Sequence, residues 1–141
     1  MSAALAGTVL PAGCGSGRSI VVHDEDGKVI AEAQLPDSGR FALEYRHSYY
    51  EVAARESFAV DDAGFSMVEI ASPSEAVLDY YELAGTKRRD GWMRLVPDHP
   101  QHFERLPLIA TPVGRRTLEV GGARYPLYGA APRHVTIEVE D

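Results

Sequence analysis

The chain has 141 residues, 45% hydrophobic and 25% charged, a size and composition suited to one globular domain with a real core and foreign to collagen, coiled-coil or low-complexity chains. Fourteen Lys and Arg against 21 Asp and Glu give a net charge of -7, a field that repels phosphate backbones and anionic lipid and so argues against a nucleic-acid partner. One cysteine rules out an internal disulfide or a cysteine-based zinc site.

In chain order, the opening MSAALAGTVLPAGCGSG is a short apolar run that meets Ala12-Gly13-Cys14 and then a Gly/Ser stretch. It resembles the end of a bacterial lipoprotein signal, which makes Cys14 the candidate lipidation site and residues 1–18 a signal-like tether. The run is too short and too broken by Gly and Pro to span a membrane, so membrane contact is expected only through this anchor. Residues 19–141 are expected to form a single all-β domain.

From Ser19 the text alternates with period two and is punctuated by turn residues, the pattern of short antiparallel strands. Asp26-Gly27 and Asp90-Gly91 read as hairpin turns. Ser74 to Ala84 is ambiguous, and strand is the reading preferred for it. Arg116 to Leu127 is the clearest hairpin: Gly121-Gly122 suits a type I′ turn, which sets Val120 opposite Ala123, Leu118 opposite Tyr125 and Glu119 opposite Arg124. Eight to ten short strands in one unit predict a β-sandwich or a partly open barrel.

The chemistry concentrates in FALEYRHSYYEVAARESF, residues 41–58. Strand alternation puts Phe41, Leu43, Tyr45, His47 and Tyr49 on one face, and Val52, Ala54, Glu56, Phe58 and Val60 on one face of the next strand. Matching apolar to apolar sets Leu43 against Val60, Tyr45 against Phe58 and His47 against Glu56. Such a pair serves either as a buried polar clip that fixes register or as the polar floor of a ligand pocket. The candidate ligand-binding residues are therefore Tyr45, His47, Ser48 and Glu56, joined by Tyr80 and Tyr81 from the acidic-aromatic stretch Asp79 to Glu82. Ser48 points away from His47 in a regular strand, which disfavours a Ser-His dyad and an enzyme.

Asp98, His99 and His102 form a weaker, metal-like cluster without a third ligand at a diagnostic spacing. No calcium loop, phosphate loop or nucleophile elbow is present, and no cofactor is implied.

The F-x-L-x-Y-x-H-S segment at Phe41 to Ser48, Glu56, the D-G-W turn at Asp90 to Trp92, Leu106-Pro107-Leu108 and the T-L-E-V-G-G segment at Thr117 to Gly122 together resemble a bacterial family known only as domain-of-unknown-function family 1850. The resemblance spans about Ser19 to Asp141. It implies an extracytoplasmic small protein, often encoded beside tripartite ATP-independent periplasmic (TRAP) transporters of the TAXI class. The expected role is that of a non-enzymatic accessory whose partners are transporter subunits or the solute receptor. The alternative is a stand-alone small-ligand or ion-binding module using His47 and Glu56.

Overall fold

A computed structural model describes residues 15–141; Cys14 and the apolar run before it lie outside the described residues. Twelve strands and one short helix follow one another as β1 (Gly15–Asp24), β2 (Val29–Pro36), β3 (Arg40–Arg46), β4 (Ala53–Asp61), β5 (Gly64–Ser72), α1 (Glu75–Tyr80), β6 (Gly85–Asp90), β7 (Trp92–Pro97), β8 (His102–Phe103), β9 (Arg105–Ala110), β10 (Thr117–Val120), β11 (Ala123–Pro126) and β12 (Arg133–Glu140). All pairings are antiparallel. They make two separate sheets, one ordered β2-β1-β12-β9 and the other β11-β10-β3-β4-β5-β7-β6, with β8 added beside β5. The fold is therefore the sandwich form of the expected all-β architecture, with a few more strands than the eight to ten anticipated.

The inward rows of both sheets supply the core. Ile20, Val22, Val135 and Ile137 from the smaller sheet meet Phe41, Leu43, Phe58, Ile70, Leu95 and Leu118 from the larger one, all nearly or fully buried. Each such side chain contributes about 1.5–3 kcal/mol on leaving water. Phe41 stacks on Phe58 with centroids 5.0 Å apart, and Phe65 meets Phe41 edge-on at 5.2 Å, geometries that add about 0.5–1.5 kcal/mol per pair beyond burial.

The β10–β11 hairpin has the predicted register residue for residue, with Gly121 and Gly122 at φ 57° and 82° as a type I′ turn requires. The turns at Gly27 and Gly91 also take positive φ. Residues 74–84 depart from expectation: Glu75–Tyr80 is a helix, not a strand. Val77 and Leu78 bury and Tyr81, one turn on, is partly buried against the core, a helical spacing that the two adjacent apolar residues obscured. Glu75 and Asp79, four apart on one helical face, both bind Lys87 of β6. Among the described residues no helix is long and apolar enough to cross a membrane.

Candidate functional site

The β3–β4 register overturns the expected meeting of His47 and Glu56. Leu43 pairs with Glu56 and Tyr45 with Ala54, a slip of four residues from the predicted alignment. The cause is the turn. The chain leaves β3 at Arg46 and re-enters β4 at Ala53, and the loop between is closed by the His47 N–H donating to the Val52 carbonyl and the Glu51 N–H donating to the His47 carbonyl, each at 2.8 Å. Glu51 adopts φ 54°, the left-handed conformation usually left to glycine or asparagine. Because the slip is even, the side chains within β3 and β4 keep their predicted faces, whereas in the turn Tyr49, expected on the core row, is exposed and Ser48 lines the same cleft as His47.

Glu56 therefore sits on the core face of a central strand. Across the sheet its row reads Leu118, Leu43, Glu56, Ile70, Leu95, one carboxylate among four buried aliphatic side chains. Its partners come from elsewhere in the chain. Tyr81, at the C-cap of α1, donates its hydroxyl to Glu56 Oε2 at 2.9 Å, and Arg116 Nη1 lies 3.5 Å from Oε1. The Tyr45 hydroxyl hydrogen-bonds that of Tyr81, and the Arg116 guanidinium rests 4.4 Å from the centroid of the Tyr45 ring, a cation-π contact.

Burial pushes the Glu56 carboxyl above its ordinary value, while the Arg116 charge and the Tyr81 hydrogen bond pull the other way. Burial likewise raises the Tyr81 phenol, reinforced by the nearby Glu56 charge. Tyr45 is raised mainly by burial too. Both phenols therefore stay protonated and act as hydrogen-bond donors at neutral pH.

Two clefts flank this cluster and share Arg116 as a wall. The first, of about 290 Å3, opens between the sheets, with Glu56, Tyr81 and Gln101 on a polar side and Phe58, Phe103, Leu106 and Leu108 among its apolar walls. The second, of about 340 Å3, is lined by Tyr45, His47, Ser48, Tyr80 and Thr111. The six predicted ligand residues thus fall on two adjoining clefts: Glu56 and Tyr81 in one, Tyr45, His47, Ser48 and Tyr80 in the other.

His47 is 5% exposed. Its Nδ1 accepts the Tyr50 N–H at 3.3 Å, and Tyr80 meets its ring edge-on with centroids 4.6 Å apart. Among the described residues no hydrogen bond or ion pair joins His47 to Glu56 or to Ser48. The second cleft is thus held by a capped turn and ring packing, not by an imidazole-carboxylate pair.

Sequence reasoning missed Arg116. The signal was present, since Arg116 precedes Leu118 by two and so shares the inward row of Leu118 and Val120. The Thr117–Glu44 pairing sets Arg116 beside Tyr45 at the next step. Of the weaker metal group, His102 instead meets Asp61 at 3.3 Å, and Asp98 donates its backbone N–H to the Ala84 carbonyl. Among the described residues, the side chains close enough for shared ligation are His23, Glu138 and Glu140 on the outer face of the smaller sheet, where Arg105 already lies 3.8 Å from Glu138.

Fold and site together define a two-sheet antiparallel sandwich with a charged cluster let into the open side of its core. Residues 41–127 match the family described as Domain of unknown function (DUF1850), and the chain belongs to that family. No curated protein and no solved structure matches it.

Proposed function

We propose that the protein is a small-ligand-binding β-sandwich that works by capture rather than catalysis, with the cleft over Glu56 and Arg116 as its binding site. One observation carries this reading: a carboxylate placed in the middle of an aliphatic row, yet facing a cleft. A register clip needs no access to solvent, whereas ligand pockets pair apolar walls with a few fixed polar groups. Pockets for drug-sized molecules run from roughly 300 to 1,000 Å3, so a cleft of about 290 Å3 fits a smaller metabolite. Titration of the 15N-labelled chain with a panel of small organic acids, amines, amino acids and sugars tests it. Binding is expected to shift the amides of Glu56, Tyr81, Gln101, Phe103 and Leu106 together. A panel that leaves all five unmoved argues for the clip instead.

A second reading, an extracytoplasmic accessory to a TRAP-type transporter tethered at Cys14, draws on the exposed apolar groups at one end of the sandwich. Tyr49, Tyr80, Ile109 and Val113 are all more than half exposed. The described chain begins at the other end, where Gly15 pairs with Pro36 and Arg18 reaches the Asp61 carbonyl. A tethered domain would then present its aromatic end away from the membrane. Purification from native membranes is expected to recover transporter subunits with the wild type and to lose them with Tyr49→Ser/Tyr80→Ser; recovery unchanged by the double variant counts against this end as the contact.

A further inference from the structure

We infer that the ligand of the Glu56–Arg116 cleft is a small zwitterion with an apolar side chain, that is, an apolar α-amino acid. The inference rests on the reading of this cleft as a binding site and goes on to name the chemical class of its occupant.

The argument begins with charge balance. Glu56 and Arg116 face the same cleft and offset one another, so its floor carries a dipole and little net charge. A simple anion drawn to Arg116 would lie against the Glu56 carboxylate, and a simple cation drawn to Glu56 would lie against the guanidinium. Each gains one contact and suffers one like-charge repulsion. A molecule with an ammonium and a carboxylate a few ångströms apart meets both groups with opposite sign.

The spacing within the pair suits such a guest. Charge-assisted N–H···O bonds close to about 2.7–2.9 Å, whereas Arg116 Nη1 stands 3.5 Å from Glu56 Oε1. The guanidinium also rests on the Tyr45 ring, 4.4 Å from its centroid, and Glu56 Oε2 is committed to Tyr81. Oε1 therefore keeps capacity to accept from an ammonium, and Arg116, one quarter exposed, keeps donors for a carboxylate. Both hosts are fixed by neighbours that a ligand need not displace, which lowers the ordering cost of binding.

The remainder of the cleft selects the side chain. Phe58, Met67, Phe103, Leu106 and Leu108 supply apolar walls, and none of them offers a partner for a hydroxyl, amide or second charge. A polar side chain directed at these walls, away from Gln101 and Tyr81, would lose its water without replacement. Branched aliphatic side chains meet the walls at no such cost.

Calorimetric titration of the chain with leucine, 4-methylpentanoate, 3-methylbutylamine and serine tests the inference. The second and third probes keep the apolar body but each lacks one charge, and serine keeps both charges but lacks the apolar body. Leucine is expected to bind at least tenfold more tightly than any of the other three. Glu56→Gln should weaken leucine and abolish its advantage over 4-methylpentanoate, while Arg116→Met should abolish its advantage over the amine. Circular dichroism and unfolding of both variants establish that they are folded. If 4-methylpentanoate or the amine binds as well as leucine and shifts the same amides, the cleft is a binding site but not for zwitterions. If serine matches leucine, the apolar walls do not select. If none of the four binds, the amino-acid assignment falls, and the wider panel described above then decides whether the cleft binds anything.

Discussion

Glu56 couples the core to the pH of the medium. Burial raises its carboxyl in the folded protein, so on raising the pH the unfolded chain gives up this proton first. Its contribution is most favourable below the ordinary value of 4.5 and is lost as pH climbs through the higher folded value, then stays level. Glu56→Gln cannot ionise, and urea unfolding between about pH 4 and 8 should show a flatter profile for the variant over that window; an unchanged slope removes Glu56 as the source. Arg116→Met withdraws the cation that offsets burial. The Glu56 carboxyl should titrate still higher in a carboxyl-carbon NMR titration, and stability at neutral pH should fall by on the order of 1–3 kcal/mol, less than for a fully sealed pair because Arg116 meets solvent. A variant whose Glu56 titration does not move would show that the pair is electrostatically idle.

At the scale of elements the β3–β4 turn decides the site, because its closure at His47 and Val52 sets which residues line up with Glu56. Glu51 holds a left-handed backbone that costs a side-chain-bearing residue about 1–2 kcal/mol. Glu51→Gly should therefore stabilise the protein by about 0.5–1 kcal/mol, read from the urea midpoint, once the added freedom of the unfolded glycine is set against it. A loss of stability would mean that the Glu51 side chain contributes a contact worth more than the strain.

The same turn explains what could and could not be read in advance. Gly121-Gly122 announces its geometry, and the register of β10–β11 followed directly. The His47–Val52 loop contains neither Gly nor Asn, so nothing local marked where β3 ends. Period-two parity survived the error, which is why Tyr45, Glu56 and Phe58 were placed on the correct face although their neighbours were not. Tyr81 was named for its chemistry, but its bond to Glu56 depends on a six-residue helix whose two adjacent buried positions hid its period. Contacts set by the docking of one element on another leave no local trace.

At the scale of the whole molecule, the outer face of the larger sheet is a ladder of opposed charges. Arg55 bridges Glu44 and Glu119, Arg124 meets the same two carboxylates, and Arg94 binds Glu69. Pairs at a sheet surface that reach solvent on the arginine side add modest stability singly. They do keep the face wetted, and the edge strand β6 is exposed throughout and carries Lys87, Arg88 and Arg89, a defence against strand-to-strand association. The inner face has no such protection. A fragment cut to residues 41–127 keeps the larger sheet and β9 but lacks β1, β2 and β12. It is expected to bind a hydrophobic dye and to aggregate during gel filtration where the full chain elutes as a folded species. A well-behaved, cooperatively unfolding fragment would show that the smaller sheet is dispensable.

The position of β12 carries a further consequence. It lies between β1 and β9, so it is the keystone of the smaller sheet, joining a strand from early in the sequence to one far along it. Without β12, β9 has no neighbour in its own sheet and the cleft above Glu56 lacks a fixed wall. The stretch that matches the family is thus not by itself a unit of assembly. Residues 41–127 hold the polar groups of the cleft, while the strand that keeps its β9 wall in place lies outside that match.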